Sequence, residues 1–182
     1  MSQNKEVESK ILEVYFEDIS KKIVSIGWVL EFYKQKFTAI WMENELWYKF
    51  RIRKEADKVN IEHKELSPWK DWVKEALETL MRAIDFEEAR MFFPKIWFQE
   101  VSFSVKNRTS YILDLEQSWE WKVNIVIDEY SDLDGFVIPA FIEIEALNRD
   151  VIVKVAKLLW FSESDLKDWW ARSLMEYYKD KQ

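Results

Sequence analysis

Pairs of like charges recur at a two-residue spacing in several segments of the sequence. Glutamates form one pair near the N-terminus and another close to residue 144, and basic residues form further pairs between them. Residues two apart on a β-strand point to the same face, so each pair would place like charges side by side. Such pairs repel unless that face binds a ligand of opposite charge. A solvated sheet face explains any single pair, but the repetition indicates charged binding faces.

The acidic and basic residues together point to a metal-bound polyanion. Carboxylates are the oxygen ligands that Mg²⁺ and Mn²⁺ prefer, and arginine suits bidentate contacts with phosphate. Metal ions can bridge acidic groups to phosphate oxygens, which explains why both signs of charge would share one cavity. The candidate acidic residues are Glu6, Glu8, Asp128, Glu143 and Glu145. The candidate basic residues are Lys10, Arg51, Arg53, Lys64, Lys106 and Arg108.

Two kinds of periodicity predict the elements that position these side chains. Alternating apolar and polar residues predict strands at 6–15, 46–54, 59–65, 98–115, 122–130 and 140–146. Helical spacing of apolar residues predicts helices at 17–26, 70–92, 150–159 and 165–179. The charged strand faces would then line an interior, with the helices covering the apolar faces outside. We predict an α+β domain whose mostly antiparallel sheet closes into a barrel around a charged cavity.

Length and composition bound the class of protein. The 182 residues suggest a single domain over 1–182. The net charge of −7 and the lack of a basic block argue against a nucleic-acid binder, and the lack of cysteine excludes disulfides. No signal peptide or membrane segment is apparent, so we expect a cytoplasmic protein. The apolar residues at 174–178 would either cover the sheet or form a dimer contact, which leaves monomer and homodimer open.

The charged motifs, taken in order, resemble those of the CYTH superfamily, the triphosphate tunnel metalloenzymes. The resemblance runs from about residue 5 to about residue 175. It implies a closed eight-stranded antiparallel β barrel, or tunnel, that binds a triphosphate together with Mg²⁺ or Mn²⁺. The motifs are E-x-E-x-K (Glu6, Glu8, Lys10), R-I-R (Arg51, Arg53), K-x-R (Lys106, Arg108), the strand of Asp128, and E-I-E (Glu143, Glu145).

The resemblance also implies roles for individual residues. The acidic set would hold the metal, and Arg51, Arg53, Lys64 and Arg108 would hold the phosphates, with Lys106 as a further candidate. Glu8 and Lys10 are the candidate catalytic residues, Lys10 either contacting a phosphate or orienting the attacking water. The chain departs from the family at Glu62, where a threonine is usual, and at Glu65 and Leu66, where Gly-Pro often follows the lysine.

The resemblance leaves three functions open. The first is a metal-dependent phosphohydrolase acting on inorganic, nucleoside or thiamine triphosphate. The second is a class IV adenylate cyclase, which converts ATP to cyclic AMP and pyrophosphate. The third is a non-catalytic polyphosphate- or nucleotide-binding protein. Hydrolysis is preferred, because cyclisation needs a nucleoside pocket and no feature of the sequence builds one.

Tryptophan and glycine occur in unusual numbers, with 11 Trp and 2 Gly. Average usage would give about 13 glycines in a chain of this length. Several tryptophans stand near predicted turns, where glycine commonly supplies a left-handed residue. Some uncultured bacteria read UGA as glycine, and we hypothesise that most of these tryptophans are glycines in the source organism. The positions are Trp28, Trp47, Trp69, Trp72, Trp97, Trp119, Trp121 and Trp160.

Overall fold

The computed structural model describes residues 3–66, 74–113, 123–146, 148–179 and 181. This part of the chain contains eight strands, four α-helices and two short 3-10 helices. The strands are β1 (Gln3–Ile11), β2 (Trp28–Glu43), β3 (Lys49–Glu55), β4 (Lys58–Leu66), β5 (Lys74–Ala83), β6 (Gln99–Leu113), β7 (Val123–Leu133) and β8 (Phe136–Ala146). The α-helices are α1 (Phe16–Ser25), α2 (Phe86–Phe92), α3 (Arg149–Leu158) and α4 (Ala171–Lys179), and the 3-10 helices are Phe93–Ile96 and Glu163–Asp165.

The strands form one antiparallel sheet in the order β1-β5-β4-β3-β2-β6-β7-β8, which curls until β1 also pairs with β8. β1 is divided between its two neighbours, since residues 3–8 pair with β5 and residues 7–11 with β8. Among the described residues, only Val7 and Glu8 pair with a strand on both sides. Beyond them, the backbone of Lys10 exchanges two 2.8 Å hydrogen bonds with Lys167.

The prediction of a closed barrel must therefore be corrected to a curled sheet. In the described residues, β1 is paired with its neighbours β5 and β8 at the same time only at Val7 and Glu8, and not along its whole length. The physical reason lies in the occupied edge of β1. Among the described residues, β5 pairs with β1 as far as Glu8. The edge of β1 beyond that residue bonds to Lys167 and not to a strand. The α+β class and the antiparallel pairing agree with the prediction.

Two strands, β5 and β2, were not predicted from the sequence. The predicted helix at 70–92 is wrong for most of its described residues, because Lys74–Ala83 is strand β5 and only Phe86–Phe92 is α-helical among residues 74–92. The 16-residue strand β2 was not predicted. Its pairing with β6 shifts register at three places, and each shift interrupts the simple alternation of faces that a strand prediction relies on.

The apolar faces of the strands point outward and are covered by helices. Helices α1 and α3 contribute Ile23 and Ile152, which belong to the same apolar cluster as Ile127 and Ile144 of the sheet. On the other side, Phe86 and Phe93 belong to a second cluster with Ile52 of β3. The expected arrangement, with apolar faces outside under helices, is thus confirmed. No helix in the described ranges is long and apolar enough to cross a membrane.

Helix α4 covers part of the sheet. Its Leu174 and Tyr178 are buried in a third cluster with Ile138 and Phe141 of β8 and Leu133 of β7. The helix begins at Ala171 and not at residue 165, because Glu163–Asp165 form a separate 3-10 turn. A capping box is present in that turn: the Asp165 side chain accepts hydrogen bonds from the backbone N–H and the hydroxyl of Ser162. Of the two roles left open for residues 174–178, covering the sheet is the one observed in this chain.

The cap of α3 gives a prediction about stability. The Oδ1 atom of Asn148 accepts a 3.1 Å hydrogen bond from the backbone N–H of Val151 at the start of this helix. We expect Asn148→Ala to lower the free energy of unfolding by about 1 kcal/mol, because the first turn loses a partner for one N–H. Urea denaturation measures the change. Asn148→Asp is the matched control, since a carboxylate accepts the same bond, and equal losses in both variants would contradict the capping role.

Three tryptophans adopt the left-handed backbone conformation expected at glycine turn positions. The φ angles are 65° at Trp47, 63° at Trp97 and 71° at Trp160, and all three side chains are about four-fifths exposed. Trp160 follows α3, where its N–H bonds to the carbonyl of Lys157 and the next N–H bonds to that of Ala156. This is the Schellman pattern, in which glycine usually occupies the left-handed position.

Trp97 has the same pattern after the 3-10 turn at Phe93–Ile96. The left-handed turns expected at these three tryptophans are confirmed, while the identity of their codons stays a hypothesis. Trp28 differs from them, because it is buried at the start of β2. The remaining turn positions, Trp69, Trp72, Trp119 and Trp121, lie outside the described residues.

Candidate functional site

The charged strand faces meet in a cavity of about 80 Å³ on the concave side of the sheet. Strands β1, β2, β3, β6 and β8 each contribute alternate residues to this side, as the two-residue spacing predicted. In β1, for example, Glu8 and Lys10 line the cavity while Val7 and Ile11 join the outer core. The charged lining residues are Glu8, Lys10, Arg51, Arg53, Lys106, Arg108, Glu143 and Glu145.

Three carboxylates come together where β1 pairs with β8. The register places Glu8 opposite Glu145 and Lys10 opposite Glu143. One carboxylate oxygen from each of Glu8, Glu143 and Glu145 lies within 4.8 Å of the other two. Hard oxygen donors at this spacing match the ligands of Mg²⁺ and Mn²⁺. The residues present therefore fit a divalent cation of this kind.

Lys10 lies between two of these carboxylates. Its Nζ atom is 3.0 Å from Oε1 of Glu8 and 2.6 Å from Oε2 of Glu143, and all three side chains are buried. A buried ammonium group is costly without such partners, so the two glutamates fix its position. The Lys10 ammonium therefore stands within the acidic cluster.

Asp128 has a different position from the other predicted acidic residues. Its carboxylate is fully buried and does not lie in the described cluster of Glu8, Glu143 and Glu145. Instead it binds two cations: Arg108 approaches through Nε and a terminal nitrogen at 2.7 Å each, and Lys106 through Nζ at 2.5 Å. In this structure Asp128 thus orients two basic side chains of β6.

Burial shifts the pKa of the groups around Asp128. Burial lowers the pKa of Lys106 to about 8, with the charge of Arg108 acting in the same direction and Asp128 opposing both. Burial by itself would raise the pKa of Asp128, but the charges of Arg108 and Lys106 outweigh it and hold that pKa below its usual value. The Asp128 carboxylate is therefore ionised at neutral pH and keeps its contacts with both bases.

Arg108 connects Asp128 to the acidic cluster. A terminal nitrogen of its guanidinium lies 2.9 Å from Oε1 of Glu143, and the other lies 3.7 Å from Oε1 of Glu145. This side chain lines the cavity although it is largely buried. One guanidinium thus reaches the carboxylates of two strands, β7 and β8.

On the opposite wall, Arg51 and Arg53 share a partner that the sequence did not identify as a site residue. Glu62 of β4 lies directly across from Arg51 in the register and is fully buried. One of its oxygens contacts Nε and a terminal nitrogen of Arg51, and the other lies 2.7 Å from a terminal nitrogen of Arg53. One sequence signal could have identified Glu62 as a site residue: the alternation places residue 62 on the same strand face as the predicted site residue Lys64.

Aromatic residues of the cavity were also missed. The ring of Phe37 lies 5.7 Å from the guanidinium carbons of both Arg53 and Arg108, and the ring of Trp41 lies 5.3 Å from that of Arg51. These distances are those of cation–π contacts, which help to hold a guanidinium in place. Both aromatic residues belong to β2, the strand that was not predicted, so the sequence analysis had no basis for placing them.

Two predicted site residues can be placed only by their backbone. Glu6 pairs with Ala76 in β1 and β5, and Lys64 pairs with Glu78 in β4 and β5. The side chains of Glu6 and Lys64 lie outside the described part of the structure. The cavity therefore brings together Glu8, Lys10, Arg51, Arg53, Lys106, Arg108, Glu143 and Glu145, with Asp128 behind them.

Comparisons with known proteins identify the fold. No family model matches the chain, and no curated protein matches it. Among solved structures, the PH1012 protein of Pyrococcus horikoshii is similar over 93% of this chain and 98% of its own, with a TM-score of 0.76 and 23% identity. A candidate adenylate cyclase of Vibrio parahaemolyticus is similar over 94% of this chain and 97% of its own, with a TM-score of 0.72 and 14% identity.

A third solved structure is also similar to this chain. HpAC1 of Hippeastrum, a candidate adenylyl cyclase with a dominant triphosphatase activity, matches over 84% of each chain with a TM-score of 0.55 and 10% identity. At these identities the similarity establishes the fold. The fold-level similarity to a candidate adenylate cyclase and to a protein with triphosphatase activity agrees with the resemblance stated from the sequence motifs.

Proposed function

We propose that this chain is a metal-dependent phosphohydrolase of the CYTH superfamily that binds a triphosphate on the concave face of its curled sheet. The observation that carries the proposal is one cavity that joins three clustered carboxylates to five basic side chains. A triphosphate is an extended polyanion, which the basic side chains would bind while the acidic cluster would hold a divalent cation. The fold neighbours support the proposal, because they include proteins described as a cyclase candidate and a triphosphatase.

In this proposal the carboxylates of Glu8, Glu143 and Glu145 hold a Mg²⁺ or Mn²⁺ ion, with Glu6 as a further ligand. The bound ion would neutralise the negative charge that develops on the phosphoryl oxygens. Asp128 contributes indirectly, by fixing Arg108 and Lys106 against the cavity wall. It is thus proposed as a positioning residue and not as the metal ligand that the family resemblance implied.

The basic residues bind and orient the triphosphate. Arg51, Arg53 and Arg108 supply guanidinium groups from two walls of the cavity, and Lys64 and Lys106 add ammonium groups. Holding the phosphoryl groups in one orientation lets water attack the terminal phosphorus in line with the bond that breaks. Lys10 stands beside Glu8 in the acidic cluster, where its ammonium can contact a phosphate or the attacking water.

Product analysis separates hydrolysis from the other two functions. Purified protein with Mg²⁺ or Mn²⁺ and tripolyphosphate or ATP is expected to release orthophosphate. Cyclic AMP and pyrophosphate from ATP would instead identify an adenylate cyclase. Tight binding of tripolyphosphate without any product would identify a binding protein. Either of these last two results would contradict the proposed hydrolysis.

Metal removal gives a second prediction for the same assay. We expect EDTA to abolish orthophosphate release, because the acidic cluster without a cation repels the phosphate oxygens. Adding Mg²⁺ or Mn²⁺ in excess over EDTA should restore the rate, whereas Na⁺ at the same ionic strength should not. Turnover that persists at full rate in EDTA would contradict the metal-dependent proposal.

A further inference from the structure

Glu62 is a fully buried carboxylate for which the proposed function has no role. It lies on β4 opposite Arg51, and its two oxygens contact Arg51 and Arg53, the two guanidinium groups of that cavity wall. Both arginines keep part of their side chains exposed, 18% for Arg51 and 20% for Arg53. The carboxylate is thus behind the arginines, and the arginines face the cavity.

The contacts of Glu62 use donors that would otherwise bind a phosphate. Nε and a terminal nitrogen form the edge with which arginine makes bidentate contacts to phosphate, and Arg51 directs this edge to Glu62. Arg53 places one terminal nitrogen 2.7 Å from the other oxygen of the same carboxylate, in an ion pair. A ligand in the cavity can therefore bind only the remaining N–H groups of the two arginines. It also meets a smaller net positive charge at this wall.

Glu62 also offsets repulsion between the two arginines. Burial and the nearby charge of Arg51 lower the pKa of Arg53, while Glu62 acts in the opposite direction. A carboxylate between two guanidinium groups lets them stay close together without a ligand. It does so by cancelling about half of their combined charge.

The charges of the cavity balance once Glu62 is included. Among the described side chains, the five cations Lys10, Arg51, Arg53, Lys106 and Arg108 face five carboxylates, which are Glu8, Glu62, Asp128, Glu143 and Glu145. A free triphosphate entering this cavity meets no net positive charge. A triphosphate that carries a divalent cation brings the missing positive charge with it.

We infer that Glu62 is a positioning residue that holds Arg51 and Arg53 together and weakens their binding of free triphosphate, so that the cavity selects the metal-bound form. The inference rests on the proposed function, because it concerns the same cavity and the same substrate class. If Glu62 served only to orient the arginines, the opposite result would be expected. Arginines released from Glu62 would then lose their orientation and bind a phosphate less well.

Calorimetric titration with inorganic tripolyphosphate in EDTA tests the inference. Glu62→Gln keeps the shape of the side chain and removes its charge, and Glu62→Thr introduces a smaller neutral side chain. We expect both variants to bind metal-free tripolyphosphate roughly tenfold more tightly than the wild type, or better, because a negative charge beside the phosphates is gone. The preference for the magnesium complex over the free form should fall, because the complex carries less negative charge and gains less from the loss of the carboxylate.

Glu129→Gln is the matched control, since it makes the same charge change at a site where Glu129 contacts Lys34 outside the cavity lining. It should leave the dissociation constant unchanged. Thermal melting verifies that each variant is folded.

Affinity that is unchanged or lower in the folded Glu62 variants would overturn the inference. Failure of both variants to fold would also overturn the inference, because the inference assigns Glu62 a role in phosphate affinity. A residue on which the fold depends would have a different role. A wild-type protein that binds tripolyphosphate neither with nor without Mg²⁺ would contradict the proposed function itself. The two failures are therefore distinguishable.

Discussion

Glu145→Gln is expected to reduce metal-dependent turnover of tripolyphosphate by on the order of a hundredfold or more. Glu145 belongs to the cluster of three carboxylates, and an amide oxygen is a weaker ligand for Mg²⁺ than a carboxylate. The variant should stay folded, because the side chain is 20% exposed and its contact with Asn124 can be kept by the glutamine oxygen. Steady-state rates at several Mg²⁺ concentrations measure the effect.

The dependence of the rate on Mg²⁺ concentration shows why turnover falls in Glu145→Gln. Loss of a metal ligand raises the Mg²⁺ concentration needed for half-maximal rate, whereas a general loss of packing would not move it selectively. Glu129→Gln, which changes the same charge on β7 outside the cavity lining, should keep the wild-type rate. Full activity in folded Glu145→Gln would remove Glu145 from the proposed metal site.

Replacing Trp47, Trp97 and Trp160 together by glycine is expected to raise the free energy of unfolding by about 2–4 kcal/mol in sum. A non-glycine residue in the left-handed region costs about 1–2 kcal/mol, and part of the gain is offset by the greater freedom of glycine in the unfolded chain. The three residues lie in separate turns, so their effects should nearly add. For a chain of this size the melting temperature should rise by roughly 5–15 °C.

The matching alanine variant separates the backbone effect from the loss of exposed aromatic surface. Alanine removes the ring but keeps the Cβ atom that the left-handed conformation disfavours. The glycine variant should therefore be the more stable of the two by about 1 kcal/mol per site. The greater conformational freedom of glycine in the unfolded chain reduces this difference. The smallest gain is expected at Trp160, because Lys22 places its Nζ atom 3.4 Å from the ring centroid in a cation–π contact. Equal stability of the alanine and glycine variants would refute strain at these turns.

The alternating charges predicted much of the cavity because they depend only on local strand geometry. Glu8, Lys10, Arg51, Arg53, Lys106, Arg108, Glu143 and Glu145 line the cavity as the two-residue spacing required. Burial of the opposite apolar residues under helices followed from the same pattern. The antiparallel pairing was also expected, and it is observed in each of the described strand pairs.

Contacts that depend on how strands pair with each other could not be predicted from the local sequence pattern. Glu62 lies against Arg51 only because β3 and β4 pair in one register, and Asp128 lies against Arg108 because β6 and β7 do. The divided pairing of β1 also depends on distant residues, since Lys167 occupies its edge. Residues 74–83 form a strand between β1 and β4, where tertiary pairing overrides a spacing that also fits a helix.

The left-handed tryptophans have a consequence for how the gene can be expressed. Under the hypothesis that they are encoded by UGA, a bacterium with the standard genetic code would stop translation at the first such codon. If Trp28 is among them, the released peptide would hold residues 1–27, which include β1 and α1 but none of the strands that line the opposite wall. Such a gene would be inactive after transfer to most other bacteria, and its three strained turns would be a trace of that genetic isolation in the translated sequence.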